Sequence, residues 1–205
     1  MPALRPDRRR RHLVRRACAL PLLLAGMLPP VAGAGAGGAS AAANASGAAL
    51  ERRVKAAFLY KFLGYAEFAP QAFDSLAAPL VLGVLGGVAG AEDMAAELTR
   101  IAAGRSVNGR TLEVRALREH DVAEPVHLLF VGGVDDARSE RLLRLATAPL
   151  TVTECGGMVP GSVINFTIVE ERVRFDVSLD AAEKKNIKLS SRLLVVANRV
   201  QRGVT

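Results

Sequence analysis

The chain has 205 residues, half of them hydrophobic, with 27 Lys and Arg against 20 Asp and Glu and a formal net charge of +7, a length that holds one domain with a sizeable core. The charge is uneven: residues 1–47 carry seven Arg (Arg5, Arg8, Arg9, Arg10, Arg11, Arg15, Arg16) against Asp7, so +6 lies there and residues 48–205 keep a net +1. A basic nucleic-acid-binding domain loses its electrostatic basis, two separated Cys exclude a disulfide-dense scaffold and a CxxC zinc site, and His12, His120 and His127 are too scattered for a metal cluster.

The basic run Arg8 to Arg16 leads into an apolar stretch from Ala17 to Leu28, closed by Pro29-Pro30 and followed by Ala32-Gly33-Ala34-Gly35-Ala36. That is the layout of a secretory signal peptide over residues 1–34, with cleavage after Ala34 or Ala36. The apolar stretch is too short to span a bilayer, and no later stretch reaches spanning length, so no membrane insertion of the mature chain is expected. Residues 35–49 are almost all Ala, Gly, Ser and Asn and read as a flexible leader. The folded domain is expected over 50–205.

In chain order, Val54, Phe58 and Phe62, with Leu59, Leu63 and Ala66 beside them, predict an amphipathic helix over Leu50–Phe68. Leu80 to Leu85 is a continuous apolar run that suits a strand buried on both faces. Helical spacing returns over 91–103. Leu112, Val114 and Ala116 alternate with charged residues in a half-exposed strand, and Val126 to Val131 is a second apolar run. Asp135 or Asp136 caps a helix carrying Leu142, Leu143 and Leu145, and Leu150-Thr151-Val152-Thr153 follows as a strand. Residues 163–169 and 173–178, joined by Glu170-Glu171, read as an antiparallel hairpin. A short charged helix over Leu179–Asn186 and a final helix capped by Ser190 or Ser191 and carrying Leu193, Leu194, Val196, Ala197 and Val200 end the chain. The expected fold is a single-domain α/β unit: a mostly parallel sheet of about four strands flanked by helices, then a C-terminal antiparallel hairpin and a terminal helix.

Three ordered stretches carry a family resemblance. They are Lys55-Ala56-Ala57-Phe58-Leu59-Tyr60-Lys61-Phe62; His127-Leu128-Leu129-Phe130; and Ile164-Asn165-Phe166 with Val173-Arg174-Phe175-Asp176-Val177-Ser178-Leu179, Ala181-Ala182-Glu183 and Leu189-Ser190-Ser191-Arg192-Leu193-Leu194. Together they resemble the YfiR-like family of exported bacterial proteins. The resemblance implies a periplasmic α/β protein, usually a dimer, that represses an inner-membrane diguanylate cyclase of the YfiN type by binding its periplasmic part. The chain departs from the family pattern at Val126, where a cysteine is frequent, and at Ala69-Pro70, where Trp-Pro is typical. After signal removal Cys155 is the remaining cysteine, so the intrachain disulfides of some relatives cannot form.

The glycine pairs Gly86-Gly87, Gly132-Gly133 and Gly156-Gly157 close three of the predicted parallel strands and would share one sheet edge. Ligands in open α/β sheets sit beyond the carboxyl ends of the strands, which makes these glycines and Cys155 candidates for a ligand crevice. Tight strand-to-helix turns need the same residues. No GxGxxG and no phosphate-loop Lys accompany them, so no cofactor is expected. Cys155 reads as a nucleophile, a redox-sensitive thiol or a bond between subunits on one side, and as a passive buried thiol on the other. His127 lies at the opposite edge and His120 in a loop, neither placed as its base. Candidate partner-binding residues are Tyr60, Asn165, Ser190, Ser191 and Arg192. No catalytic constellation is present. The expected function is therefore a non-catalytic periplasmic regulator; a small-molecule-binding domain acting with a sensor or transporter, or a thiol enzyme using Cys155, are the alternatives.

Overall fold

The computed structural model describes residues 36–75, 77–87 and 90–202; the predicted signal peptide lies outside them. In chain order the elements are α1 (Ala36–Tyr65), β1 (Ala66–Glu67), β2 (Leu80–Gly86), α2 (Gly90–Ala102), β3 (Ser106–Val107), β4 (Arg110–Leu117), β5 (Leu128–Gly132), α3 (Asp136–Leu145), β6 (Leu150–Thr153), β7 (Ile164–Val169), β8 (Arg172–Ser178), α4 (Leu179–Lys184), β9 (Lys188–Leu189), α5 (Ser191–Val196) and β10 (Arg199–Gln201). Single 3-10 turns stand at Pro70–Ala72 and Glu119–Asp121.

The main sheet has eight strands in the order β10-β8-β7-β6-β5-β2-β4-β3. From β4 through β2, β5 and β6 to β7 every pairing is parallel, then β8 returns antiparallel to β7. The two central apolar runs alternate their side chains between two cores. Leu80, Leu82, Val84, Leu128 and Phe130 face the core under α1 and α2, while Val81, Leu85, Leu129 and Val131 face the one shared with Leu142 and Leu143 of α3. α1 inserts Ala56, Leu59, Phe62 and Leu63, all fully buried, at helical spacing. Its Phe62 ring meets Phe175 edge-on at 4.9 Å and Phe166 at 5.7 Å, tying the first helix to the hairpin.

The α/β reading, the antiparallel hairpin and the Asp135 cap are all present: Asp135 accepts from the Arg138 N–H at 2.8 Å. Glu170 and Glu171 form the hairpin tip, both with positive φ (49° and 60°), the backbone that a tight two-residue turn between twisted strands requires.

Four expectations change. β7, read as the start of a separate hairpin, also pairs parallel with β6, because a ten-residue connection without a helix carries the chain back beside it. The first helix stops at Tyr65 rather than Phe68, since Ala66 and Glu67 pair antiparallel with Leu189 and Lys188. At its other end it starts at Ala36, inside the expected flexible leader, where alanine, the strongest helix former, dominates. The final helix ends at Val196, and Val200 belongs to β10, which pairs parallel with β8 after the Asn198 N–H caps onto the Phe175 carbonyl at 2.8 Å. Consecutive Val195 and Val196 favour this early stop.

Candidate functional site

The carboxyl ends of β2, β5 and β6 open toward α1. Gly86 and Gly132 are register partners there, and a Cβ on Gly86 would come within 2.9 Å of the Gly132 carbonyl oxygen, so close strand packing itself requires a glycine. Gly133 adopts φ +66°, the left-handed turn that releases the chain toward α3. Two of the three pairs thus serve the turns; the crevice between them remains open.

α1 crosses above this edge and contributes Glu51, Arg52 and Lys55. Lys55 stands at i and i+4 spacing to Leu59 on the helix's apolar face and is only 8% exposed. Its ammonium donates to Glu154 Oε2 at 2.7 Å and meets Glu51 Oε1 at 2.5 Å. The other Glu154 oxygen accepts the Gly133 N–H at 2.6 Å. Burial opposes the Lys55 charge, but the bonds from Glu154 and then Glu51 outweigh it and hold the ammonium above its ordinary pKa. Arg52 pairs with Asp93 of α2 at 2.8 Å.

These groups wall a crevice of about 180 Å³ bounded by Met94, Phe130 and the glycines Gly86, Gly132 and Gly133. A neighbouring hollow of about 370 Å³ shares Glu51, Lys55 and Glu154 and adds Cys155, Gly156 and Phe166. Of the glycine pairs, Gly86, Gly132 and Gly133 line the first hollow and Gly156 the second, while Gly87 and Gly157 line neither. Charged groups of both signs and an apolar floor suit a small polar or zwitterionic molecule.

Cys155 is buried and chemically quiet. Burial pushes its thiol pKa up; the Ser139 hydroxyl opposes this, while Asp136 adds to it. Because β5 and β6 run parallel, His127, just before β5, and Cys155, just after β6, sit at opposite ends of the strands. Among the described residues no histidine is placed to activate the thiol.

The candidate partner residues separate. Asn165 is 1% exposed and clamps the β6–β7 connection: its Oδ1 accepts from the Cys155 N–H at 2.9 Å and from the Thr153 hydroxyl at 2.7 Å, and its Nδ2 donates to the Cys155 carbonyl at 3.2 Å. As placed, it offers no surface to a partner. The Tyr60 hydroxyl donates to the Ser106 carbonyl at 3.2 Å, beside β3. Ser190 caps α5 by accepting the Arg192 N–H. Ser191 and Arg192 are exposed, and beside them stand Val195 at 83% and Val196 at 58% exposure, with Val200 at 41% on the outermost strand. Three large apolar side chains so exposed thus stand together with an arginine that forms no salt bridge among the described residues.

Sequence reasoning missed Glu51, Arg52, Lys55, Asp136 and Glu154. A lysine on the buried face of an amphipathic helix was the available signal, since such a charge demands a partner. Among the described residues no group of His, Cys, Asp and Glu is arranged to hold a metal, and no helix is long and apolar enough to cross a membrane.

A search of curated proteins finds no match to the chain. A family model described as YfiR/HmsC-like matches residues 52–198, from the turn of α1 that carries Lys55 through α5. The chain belongs to the YfiR/HmsC-like family.

Proposed function

We propose that this protein is a periplasmic, non-catalytic repressor of an inner-membrane diguanylate cyclase, lowering cyclic-di-GMP output by binding the cyclase's periplasmic part. The observation that carries the reading is the family match, which spans the folded unit from 52 to 198 and includes every stretch that bears the resemblance. Family members act as regulators of diguanylate cyclase signalling. The thiol, raised in pKa by burial and by Asp136, and without a histidine beside it among the described residues, favours binding over catalysis.

Repression works as a population shift: the protein holds the inactive arrangement of the cyclase more tightly than the active one, so its release permits synthesis. The contact surface in this reading is the corner formed by Ser191, Arg192, Val195, Val196 and Val200, with apolar side chains supplying burial and Arg192 an acidic counterpart on the cyclase. Deleting the gene should raise cyclic-di-GMP and biofilm formation, and capture with the tagged mature chain should retain a GGDEF-type membrane protein. Unchanged cyclic-di-GMP in the deletion strain sinks the proposal.

A second reading is favoured by the Lys55–Glu154 crevice: an exported small-molecule-binding domain that serves a sensor or transporter. Ligand binding by the purified protein, with no effect of the deletion on cyclic-di-GMP, would select it.

A further inference from the structure

The residue before β5, His127, engages both ring nitrogens with fixed roles. The Val81 backbone N–H donates to Nδ1 at 2.9 Å, so Nδ1 holds a lone pair and no proton. Nε2 lies 2.9 Å from the Ala72 carbonyl, which can only accept, so Nε2 carries the proton. These two bonds admit one state of the ring, the neutral Nε2–H tautomer. An imidazolium would aim a second N–H at the Val81 N–H and break that bond.

The ring fastens the described part of the segment between β1 and β2, residues 68–75 and 77–79, across the amino-terminal edge of the sheet. It stacks on Phe73 at 4.6 Å between centroids and meets Phe68 edge-on at 5.7 Å. Arg110 of β4 stands 3.8 Å from the centroid of the same Phe73 ring and donates to the carbonyls of Ser75 and Ala78, at 3.0 and 2.6 Å. Charging His127 would therefore bring a second cation to a ring that already carries one. Other charged groups face this groove: Asp74 on the strap itself, and Glu113 and Arg115 on β4. Burial disfavours the imidazolium most, the Ala72 bond favours it, Arg110 opposes it and Asp74 favours it, with a net depression of the pKa.

The strap is continuous with the partner corner. It follows β1, which pairs with β9, and the Ser190 N–H that follows β9 donates to the Tyr65 carbonyl at 2.9 Å just before α5 begins.

We propose that His127 is an acid-released latch: neutral, it pins the strap of residues 68–75 and 77–79 to β2, and on protonation it gives up the Val81 bond and frees the strap together with the β1–β9 ribbon that seats α5. The latch stands on its own geometry; its effect on a cyclase rests on the repressor reading above.

Hydrogen exchange on the mature full chain, corrected for intrinsic rates, tests it by comparing wild type with His127→Gln at about pH 7.5 and about pH 5. Glutamine keeps an acceptor for Val81 and a donor for Ala72 but cannot titrate. Amides of 66–75, 77, 78 and 188–190 should exchange roughly tenfold faster in acid for wild type, with no such rise in His127→Gln. An equal acid response in both proteins, or none in wild type, overturns the latch. Imidazole nitrogen NMR of the wild type keeps the proposal testable should the variant misfold. The Nε2–H tautomer at neutral pH, with titration that coincides with loss of strap protection, supports it; an Nδ1–H tautomer, or titration with protection unchanged, overturns it. If the strap opens in acid but cyclase capture is the same at both pH values, the latch holds and its coupling to α5 is overturned.

Discussion

Lys55, on the buried face of α1, donates to Glu154 at 2.7 Å, immediately past the last residue of β6. The two are 99 positions apart in sequence, and their contact locks the first helix onto the carboxyl edge of the parallel sheet.

Breaking this pair from one side leaves a partly desolvated charge short of its main partner, with Lys55 keeping Glu51 and Glu154 keeping the Gly133 N–H. Glu154→Gln and Lys55→Met should each destabilise the fold by about 1–3 kcal/mol, below the range for fully buried pairs because the Glu154 side chain keeps 24% exposure. The double substitution should cost less than the sum of the two. Urea denaturation in a double-mutant cycle reads the coupling; strict additivity would show that the two charges do not act as a pair.

Asn165 holds the helix-free crossover between β6 and β7 through three hydrogen bonds. Asn165→Ala should therefore cost about 2–4 kcal/mol, and hydrogen exchange should rise across 154–163 more than elsewhere. Loss of affinity for a partner without any loss of stability would instead make Asn165 a contact residue.

The Cys155 thiol, raised in pKa by burial, carries little thiolate at neutral pH. Alkylation of the folded protein should run slower than that of an unfolded control at about pH 7.5, and the gap should narrow as pH rises or denaturant is added. Cys155→Ser should keep repression intact. Rapid labelling at neutral pH, or loss of function in the serine variant, would return the thiol to an active role.

Exposed residues of α5 are expected to matter for binding and not for stability. Arg192→Glu and Val195→Asp should shift stability by no more than about 0.5 kcal/mol while raising cyclic-di-GMP toward the deletion level. Wild-type cyclic-di-GMP in both variants would move the partner surface elsewhere on the protein.

What could be read in the sequence was whatever has a short period. Apolar runs at 80–85 and, interrupted only by His127, at 126–131 announced strands covered on both faces, and these are β2 and β5 in the centre of the sheet. Each cap could be narrowed to two neighbours, Asp135 or Asp136 and Ser190 or Ser191, because a cap acts on an N–H only two or three residues away, and the fold uses Asp135 and Ser190. β10 was not legible: Arg199 to Gln201 has no strand signature of its own, and the free edge of β8 makes it a strand. Nor was the second role of β7, whose parallel pairing with β6 depends on the Asn165 clamp.

The sequence by itself determined the α/β class, the hairpin, the placing of glycines from all three pairs at one sheet edge and the family, since all of these follow from local patterns and ordered motifs. The tertiary structure alone decided which charges meet. Lys55 and Glu154, or His127 with Val81 and Ala72, are paired by the packing of helix and strap against the sheet. A charge or an imidazole is placed by what its burial forces it to bond, and that environment exists only once distant segments are packed together.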